Sequence, residues 1–365
     1  MTTSYVLQNL QFVTGELVDI VVKNGQIEQI ATAGQGQAQQ KYDYSGCYVS
    51  SGWIDLHVHA NNRLHPYGDD IDEIGVRQGV TTIVDAGSCG ADNVSDILPV
   101  AATFKTDLLA FLNISTIGLQ RIDELSNLEW LDKQALLDTI KVHCDKIVGL
   151  KVRMSQSVVK DSGLKPLETA RQFADETKLP LMVHIGSGPP DINSILQLLD
   201  QGDIITHFLN GKANNLFDLH GKPLPSLLAA IQRGVLLDVG HGSASFSFKV
   251  AEEAKRHGIA PFSISSDIYR DNRKNGPVYS LAHVASKFLL LGYSLEQIID
   301  AVTVQPAKAI HQPELGQLKA GRPADLTLFE VVAAKQTLTD SDGETRTAKQ
   351  MINTIGVVKN GELIT

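Results

Sequence analysis

The chain has 365 residues, a net charge of −9 and three cysteines, and 43% of its residues are hydrophobic. A chain of this size and composition can bury a core without disulfides. Its acidic balance argues against nucleic acid or an anionic membrane as a partner, because both attract cationic surfaces. The cysteines are far apart and form no CxxC pair, and the sequence shows neither a signal-peptide pattern nor an apolar run of membrane-spanning length, so we expect a cytoplasmic protein.

The two ends of the chain share a hairpin pattern. Residues 18–31 (VDIVVKNGQIEQIA) and 355–364 (IGVVKNGELI) each place a Lys-Asn-Gly turn between β-rich runs. We therefore predict one small β-sandwich domain built from residues 1–50 and 312–365. The polar stretch 337–350 is predicted to be a turn or loop.

The middle of the chain alternates short apolar runs with helical patterns. Eight such runs predict strands at 53–59, 81–86, 108–114, 147–152, 180–185, 203–207, 235–239 and 262–267. Eight strands with intervening helices predict a (β/α)8 TIM barrel over residues 51–311. A doubly wound open sheet is the competing interpretation, but no GxGxxG motif follows the first strand.

Polar side chains follow several of the predicted strands, at the end where barrel enzymes place their reactive groups. His57 and His59 lie two residues apart and therefore point to the same side of the first strand. The later strands end with Lys151, His184, His207 and Asp267. A single histidine at a strand end is usually a structural core residue. Four histidines and an aspartate at one rim predict a site for zinc or a similar divalent ion.

Lys151 requires a separate interpretation, because a protonated amine is repelled by metal cations. Desolvation near positive charge favours the neutral amine. A neutral amine can add carbon dioxide and become a carbamate, an anionic ligand with two oxygens that could bridge two metals. The alternative is a lysine that forms an ion pair with a carboxylate such as Asp267.

These motifs together resemble the amidohydrolase superfamily. They are the first-strand sequence GWIDLHVHA, the lysine, the two single histidines, the final aspartate and the closing GxxADLTLF. The resemblance covers nearly the whole chain and implies two divalent metal ions, expected to be Zn²⁺. It places His57, His59 and Asp267 on one ion and His184 and His207 on the other, with carboxylated Lys151 and a hydroxide bridging them.

Further segments resemble the amidohydrolase/deacetylase branch, whose members are often labelled dihydroorotase-like. These segments are GVTTIVDAGSCGAD, GLKVRMS, DVGHGSASF and NGPVYSLAHVASKFL. Dihydroorotases carry HxHxR, whose arginine holds the substrate carboxylate, but here Ala60 and Asn61 follow His59. The glutamate of amino-sugar phosphate deacetylases and the HxxE of mononuclear deaminases are also missing.

The resemblance therefore implies a binuclear zinc hydrolase that cleaves an amide or ester bond of a small acylated carboxylic acid. A metal-bridging hydroxide is expected to attack, with Asp267 as the catalytic proton shuttle. A cyclic amidohydrolase of dihydroorotase or hydantoinase type is the alternative. A non-catalytic scaffold is a remote alternative, since scaffolds usually lose ligands and all six are present.

Loops after the strands supply the candidates for substrate binding. The expected partner is a small anionic molecule, and arginine grips carboxylates well, which favours Arg153 and Arg270. For each single arginine, a structural ion pair is the competing interpretation. A homo-oligomer remains possible. The candidates are Tyr67, Arg153, Asn210, His241, Tyr269, Arg270, Arg273 and Asn275.

Overall fold

A computed structural model describes residues 4–365, which form a barrel and an attached β-sheet. The strands are β1 (Ser4–Gln11), β2 (Leu17–Lys23), β3 (Gln26–Thr32), β4 (Gln40–Asp43), β5 (Tyr48–Ser51), β6 (Trp53–Val58), β7 (Val80–Ala86), β8 (Asp107–Asn113), β9 (Ile147–Met154), β10 (Leu181–Ile185), β11 (Ile204–Thr206), β12 (Leu236–Asp238), β13 (Leu326–Thr339), β14 (Thr345–Lys359) and β15 (Glu362–Ile364).

Helices follow most of the barrel strands and cover their outer face. They are α1 (Ile71–Ile74), α2 (Leu98–Ala101), α3 (Lys133–Val142), α4 (Gln156–Val159), α5 (Lys165–Thr177), α6 (Ile192–Gln197), α7 (Pro225–Arg233), α8 (Phe248–Arg256), α9 (Arg270–Asn275), α10 (Leu281–Leu290), α11 (Leu295–Val302) and α12 (Val304–Ala309). Within residues 4–365, none of these helices combines the length and the apolar character needed to span a bilayer.

The barrel consists of seven parallel strands and an eighth segment that closes the ring. Strands β6 to β12 pair in sequence order. The eighth segment, residues 263–268, which we call the closing segment, forms parallel bridges to Asp238 of β12 and Val58 of β6. The predicted (β/α)8 barrel is therefore confirmed, with its last strand too short and irregular to count as regular sheet.

Two apolar layers hold the barrel together. Alternate strand residues such as Leu56, Phe111 and Met182 fill the interior, and Ala307 and Ile310 at the end of α12 belong to the same cluster. The opposite faces of the strands pack against the surrounding helices in a much larger cluster. Each fully buried aliphatic or aromatic side chain contributes roughly 1.5–3 kcal/mol. The two layers thus provide a rigid frame for the strand ends.

Irregularities in two strands turn polar side chains into the barrel mouth. The register of β6 against β7 shifts between Asp55 and Val58, and that of β9 against β8 shifts near Gly149. Leu56 and Val148 belong to the inner core, whereas His57 and Lys151, one and three residues further along their strands, line the cavity. Bulges of this kind are common beside active sites, where they redirect a side chain.

Strands from both termini form the second sheet, as predicted. Its order is β15-β14-β13-β5-β1-β2-β3, with β4 added on β1, so β13 from the end of the chain pairs with β5 from its beginning. A separate apolar cluster that includes Leu7, Ile20 and Leu326 forms its core. This second sheet therefore cannot be completed until the barrel segment between its strands has been synthesised.

The prediction of a loop at 337–350 is wrong. Strands β13 and β14 continue through most of this stretch and leave only residues 340–344 as the turn. Leu338 and Ala348 are buried in the outer cluster of the barrel, and the backbone N–H of Ile352 donates to Ser286 Oγ of α10. Because this hairpin is stabilised by packing on the barrel, its polar local sequence gave no sign of it.

Candidate active site

A cavity of about 210 Å³ lies at the carboxyl ends of the barrel strands. All six side chains predicted as metal ligands line it. The full lining consists of His57, His59, Tyr67, Leu119, Lys151, Arg153, Ser155, Ser157, His184, Ser187, His207, Lys212, Ser243, Ala244, Ser245, Asp267 and Tyr269.

A larger cavity of about 570 Å³ lies near the amino ends of β12 and the closing segment. Its walls are mainly aliphatic, with residues such as Leu228, Ile231 and Ile264. The smaller cavity contains the convergent polar groups that chemistry requires, so its residues rather than its volume identify the candidate site.

A chain of hydrogen bonds fixes the tautomer of His57. Thr206 Oγ1 donates to Asp238 Oδ2 over 2.7 Å and lies 2.9 Å from His57 Nδ1. Since the threonine proton points to the aspartate, the hydroxyl accepts from His57 Nδ1–H. The lone pair of His57 Nε2 is therefore directed into the cavity, as a metal ligand requires.

Similar partners orient the other imidazoles. His207 Nδ1 donates to the Gly240 carbonyl over 2.6 Å, which leaves Nε2 free to accept or to bind a metal. His59 Nδ1 lies 2.8 Å from Ser88 Oγ. His184 instead uses Nε2, 3.1 Å from Ser155 Oγ, and this contact leaves its Nδ1 as the nitrogen available to a metal.

Two of the predicted ligands have backbone conformations that L-residues rarely adopt. His207 has φ +72° and Asp267 has φ +51°. Such strain costs roughly 1–3 kcal/mol per residue and is concentrated at functional sites. Gly242 packs over the Asp267 carboxylate so closely that a Cβ on it would lie 2.3 Å from Asp267 Oδ2. The loop after β12 thus depends on a glycine to approach the site.

Lys151 is buried beside the histidines without an ionic partner. Its Nζ lies 3.5 Å from His57 Nε2 and 3.2 Å from Met182 Sδ. Among the described residues, no carboxylate oxygen comes within the 4.0 Å of an ion pair, so the alternative pairing with Asp267 is not observed. Burial lowers the pKa of Lys151 to about 7, so a large fraction of the amine is neutral near that pH.

The donor set fits divalent metal ions. Ligand atoms of His57, His207 and Asp267 all lie within 4.8 Å of one another, and Asp267 Oδ1 is 3.1 Å from His59 Nε2. Burial lowers the pKa of His57, His184 and His207, while the neighbouring imidazoles keep the pKa of Asp267 below its usual range despite its burial. Neutral imidazoles and an ionised carboxylate are the protonation states that zinc binds.

Three of the eight residues predicted to bind substrate line the cavity: Tyr67, Arg153 and Tyr269. Because β9 continues to Met154, Arg153 faces the same side as Lys151, as the alternation predicts. Arg153 is not free, since its Nη1 lies 3.3 Å from both carboxylate oxygens of the buried Glu124. The rings of Tyr67 and Tyr269 meet edge to face, with centroids 5.2 Å apart.

The other five candidates are not among the residues that line the cavity. Asn210 is buried and shapes its own loop, because its side chain donates to the His207 carbonyl and accepts from the Lys212 N–H. His241 is buried and accepts from Lys287 Nζ over 2.7 Å.

The remaining three belong to α9, which begins directly after the closing segment and carries them away from the cavity. Arg273 forms two hydrogen bonds with the buried Asp69, Arg270 lies 3.8 Å from that same carboxylate, and Asn275 donates to Asp271. A buried carboxylate requires a cationic partner, so Arg270 and Arg273 compensate the charge of Asp69.

Several lining residues were not predicted. Ser155 lies two residues beyond Arg153 and could have been found by extending the same alternation. Ser243 and Ser245 follow the seventh strand in the segment DVGHGSASF, two and four residues after the predicted His241. Lys212 lies in the loop after β11. The loop sequence FLNGKANN contains no motif that indicates a site residue, apart from the position of Lys212 five residues after His207.

Comparison with known proteins yields matches along the whole chain. The family model described as a Deacetylase-like composite domain matches residues 318–362. A curated deacetylase of Enterococcus faecalis is 42% identical over 366 residues, covering 100% of this chain and 99% of the relative.

Two solved structures are similar in both sequence and fold. One, described as an adenine deaminase, is 42% identical with a TM-score of 0.95 and covers 98% of both chains. The other, described as a dihydroorotase, is 34% identical with a TM-score of 0.93 and covers 100% of this chain and 99% of that one. The names of the relatives thus cover three reactions on one architecture.

Proposed function

The chain belongs to the amidohydrolase superfamily, in the branch of its deacetylase relatives, and from this premise we propose that it is a binuclear zinc hydrolase that removes an acyl group from a small carboxylic acid. The observation that carries the proposal is the convergence of His57, His59, His184, His207 and Asp267 with an unpaired buried lysine in one cavity.

Two divalent ions, when bound, would polarise the acyl carbonyl and make water a nucleophile near neutral pH. His57, His59 and Asp267 would hold one ion, and His184 and His207 the other. Lys151, partly neutral because of its burial, would add carbon dioxide, release a proton and supply the resulting carbamate as a further metal ligand. Thr206, Ser88 and the Gly240 carbonyl keep the imidazoles in the required orientation.

Asp267 would move the proton. Its pKa lies below the usual range, so the carboxylate is ionised and can accept the proton of the attacking water. It would then return this proton to the departing amine or alkoxide. The close cover of Gly242 keeps bulk water from one side of the carboxylate.

The structure supports deacetylation over ring opening of dihydroorotate at one position. The residue that would be the arginine of HxHxR is Asn61, which is absent from the cavity lining and whose Nδ2 lies 3.5 Å from Cys89 Sγ. The carboxylate anchor typical of dihydroorotases therefore has no counterpart there.

The test is a substrate screen of the zinc-loaded protein. Acetylated 2-hydroxy acids and N-acetyl amino acids would be followed by acetate release, adenine by ammonia release, and dihydroorotate by ultraviolet absorbance. We expect acetate release alone. Ammonia release or ring opening without any acetate release would contradict the proposal and favour the reaction detected.

A further inference from the structure

One cation in the cavity wall forms no ion pair with any other residue of the described range 4–365. This cation is Lys212, which lines the cavity and whose Nζ donates no hydrogen bond to another described residue. The other cations near the mouth are engaged, since Arg153 contacts Glu124 and Arg273 is bonded to Asp69. Apart from Lys151, which is counted among the predicted metal ligands, Lys212 is thus the cation in the described cavity lining that a ligand can approach without breaking an ion pair.

The backbone of Lys212 is fixed relative to a predicted metal ligand. Asn210 accepts from the Lys212 N–H over 3.0 Å and donates to the His207 carbonyl over 2.9 Å. Asn210 is fully buried, so this bridge is shielded from water. The loop therefore fixes the backbone of Lys212 beside the strand ends.

The ammonium of Lys212 also lies close to the reacting region. A Cβ on Gly186 would lie 3.3 Å from Lys212 Nζ, 3.5 Å from His184 Nε2 and 2.4 Å from Ser155 Oγ. The three groups thus surround the bare Cα of Gly186. A larger residue there would force Ser155 Oγ to move and would crowd Lys212 Nζ slightly, while His184 Nε2 would stay at ordinary contact distance. Gly186 provides the space in which a lysine reaches the neighbourhood of His184.

A partly buried cation without a partner favours an anionic ligand. Burial lowers the pKa of Lys212, and the nearby Asp267 and Asp342 compensate only partly. A carboxylate placed against this ammonium would restore the interactions lost by desolvation. The small cavity limits that anion to a small molecule whose charge lies near the scissile bond.

We propose that Lys212 is the specificity-determining residue that binds the carboxylate of the substrate. The inference rests on the proposed function, because it names the charged part of the acylated acid that the site would cleave. It replaces Arg153 and Arg270 as the expected anchors, since both lie beside carboxylates of the protein.

The experiment measures binding and hydrolysis separately. The zinc-loaded wild type, Lys212→Met and Lys212→Arg would be titrated calorimetrically with acetylated 2-hydroxy acids and N-acetyl amino acids, each paired with its uncharged primary amide. We expect the wild type to bind an acid about 10- to 100-fold more tightly than its amide. Lys212→Met should abolish this preference without changing zinc content, and Lys212→Arg should keep most of it.

Equal binding of acid and amide by the wild type would overturn the proposal, as would an acid preference that survives in Lys212→Met. The absence of any acid binding would also overturn it. Acetate release in the same samples reports on the reaction itself. An acid preference that depends on Lys212, without acetate release from any compound, would keep the anchor and refute the deacetylase function.

Discussion

The two sides of the cavity differ in how the chain holds them. The ligand floor, formed by His57, His59, Lys151, His184, His207 and Asp267, lies on barrel strands or directly at their ends. The loop wall, formed by Tyr67, Lys212, Ser243, Ser245 and Tyr269, lies on the connections that follow. In barrel enzymes the strand ends carry the shared chemistry, and the loops adapt it to different substrates.

The difference explains why relatives with three different names share one fold. Backbone pairing and buried hydrogen bonds position the floor, so its geometry follows from the barrel itself. The wall depends on contacts such as that of Asn210 with Lys212, which a few substitutions can change. Changes in the floor should therefore alter turnover and metal binding, while changes in the wall should alter substrate preference or local stability.

The largest effect is expected from Asp267→Asn in the floor. The amide cannot accept the proton of the attacking water, so kcat should fall about 10²- to 10⁴-fold. Circular dichroism should show an unchanged fold, because the side chain is nearly isosteric. A variant within a few-fold of wild-type kcat would show that another group transfers the proton.

The next largest effect is expected from Lys287→Met behind the loop wall. The buried ammonium donates to His241 Nε2 and to the carbonyls of Pro277 and Thr339, joining the β12 loop to the hairpin tip. Loss of these bonds should lower the free energy of unfolding by about 2–4 kcal/mol, measured by urea denaturation, without changing zinc content.

The matched control for Lys287 is Lys249→Met. Lys249 forms an exposed ion pair with Glu344 of the same hairpin. Lys249→Met should therefore lower the free energy of unfolding only slightly. Equal destabilisation by both variants, or loss of zinc from Lys287→Met, would remove the distinction between floor and wall.

Thr206→Val tests the support of the floor. Valine keeps the volume of threonine but removes the hydroxyl that accepts from His57 Nδ1 and donates to Asp238. Zinc affinity, measured by competition with a chelator, should fall about 10- to 100-fold. Thr206→Ser restores the hydroxyl and should recover most of the affinity. Wild-type affinity in Thr206→Val would mean that the hydroxyl does not orient His57.

The smallest effect concerns acid stability and a histidine outside the cavity lining. Burial beside Lys287 lowers the pKa of His283 from 6.5 to about 4. Between these pH values His283 binds a proton in the unfolded chain but not in the folded chain. Stability is therefore lost as the pH falls from 6.5 towards 4. Between pH 7.5 and pH 5, the free energy of unfolding of the wild type should fall by about 1–2 kcal/mol more than that of His283→Gln. A constant difference between these pH values would exclude this contribution.

Sequence patterns predicted the floor because strand periodicity and strand ends are local properties. The alternation that pairs His57 with His59 and Lys151 with Arg153 is visible in the sequence and holds in the structure. Whether an arginine in a loop faces substrate or protein depends on distant partners. Arg273 is bound by Asp69, some two hundred residues earlier in the chain, and no local pattern indicates this contact.

The prediction of a loop at 337–350, where β13 and β14 form a long hairpin, failed for a similar reason. Its polar sequence is typical of a loop, but Leu338 and Ala348 are buried against the barrel. The closing segment shows the opposite case, since an apolar run correctly placed the eighth strand although only isolated bridges connect it to its neighbours.

The most direct test of the central claim is a zinc titration of the metal-free protein. Bound zinc and acetate release from an acylated acid would be measured together for the wild type and Lys151→Ala. We expect activity to rise until two zinc ions per chain are bound. Lys151→Ala should lose the second ion and most activity, and added short carboxylic acids should restore both in part. Full activity of the wild type with one ion, or of Lys151→Ala without added acids, would contradict a two-metal site bridged by Lys151.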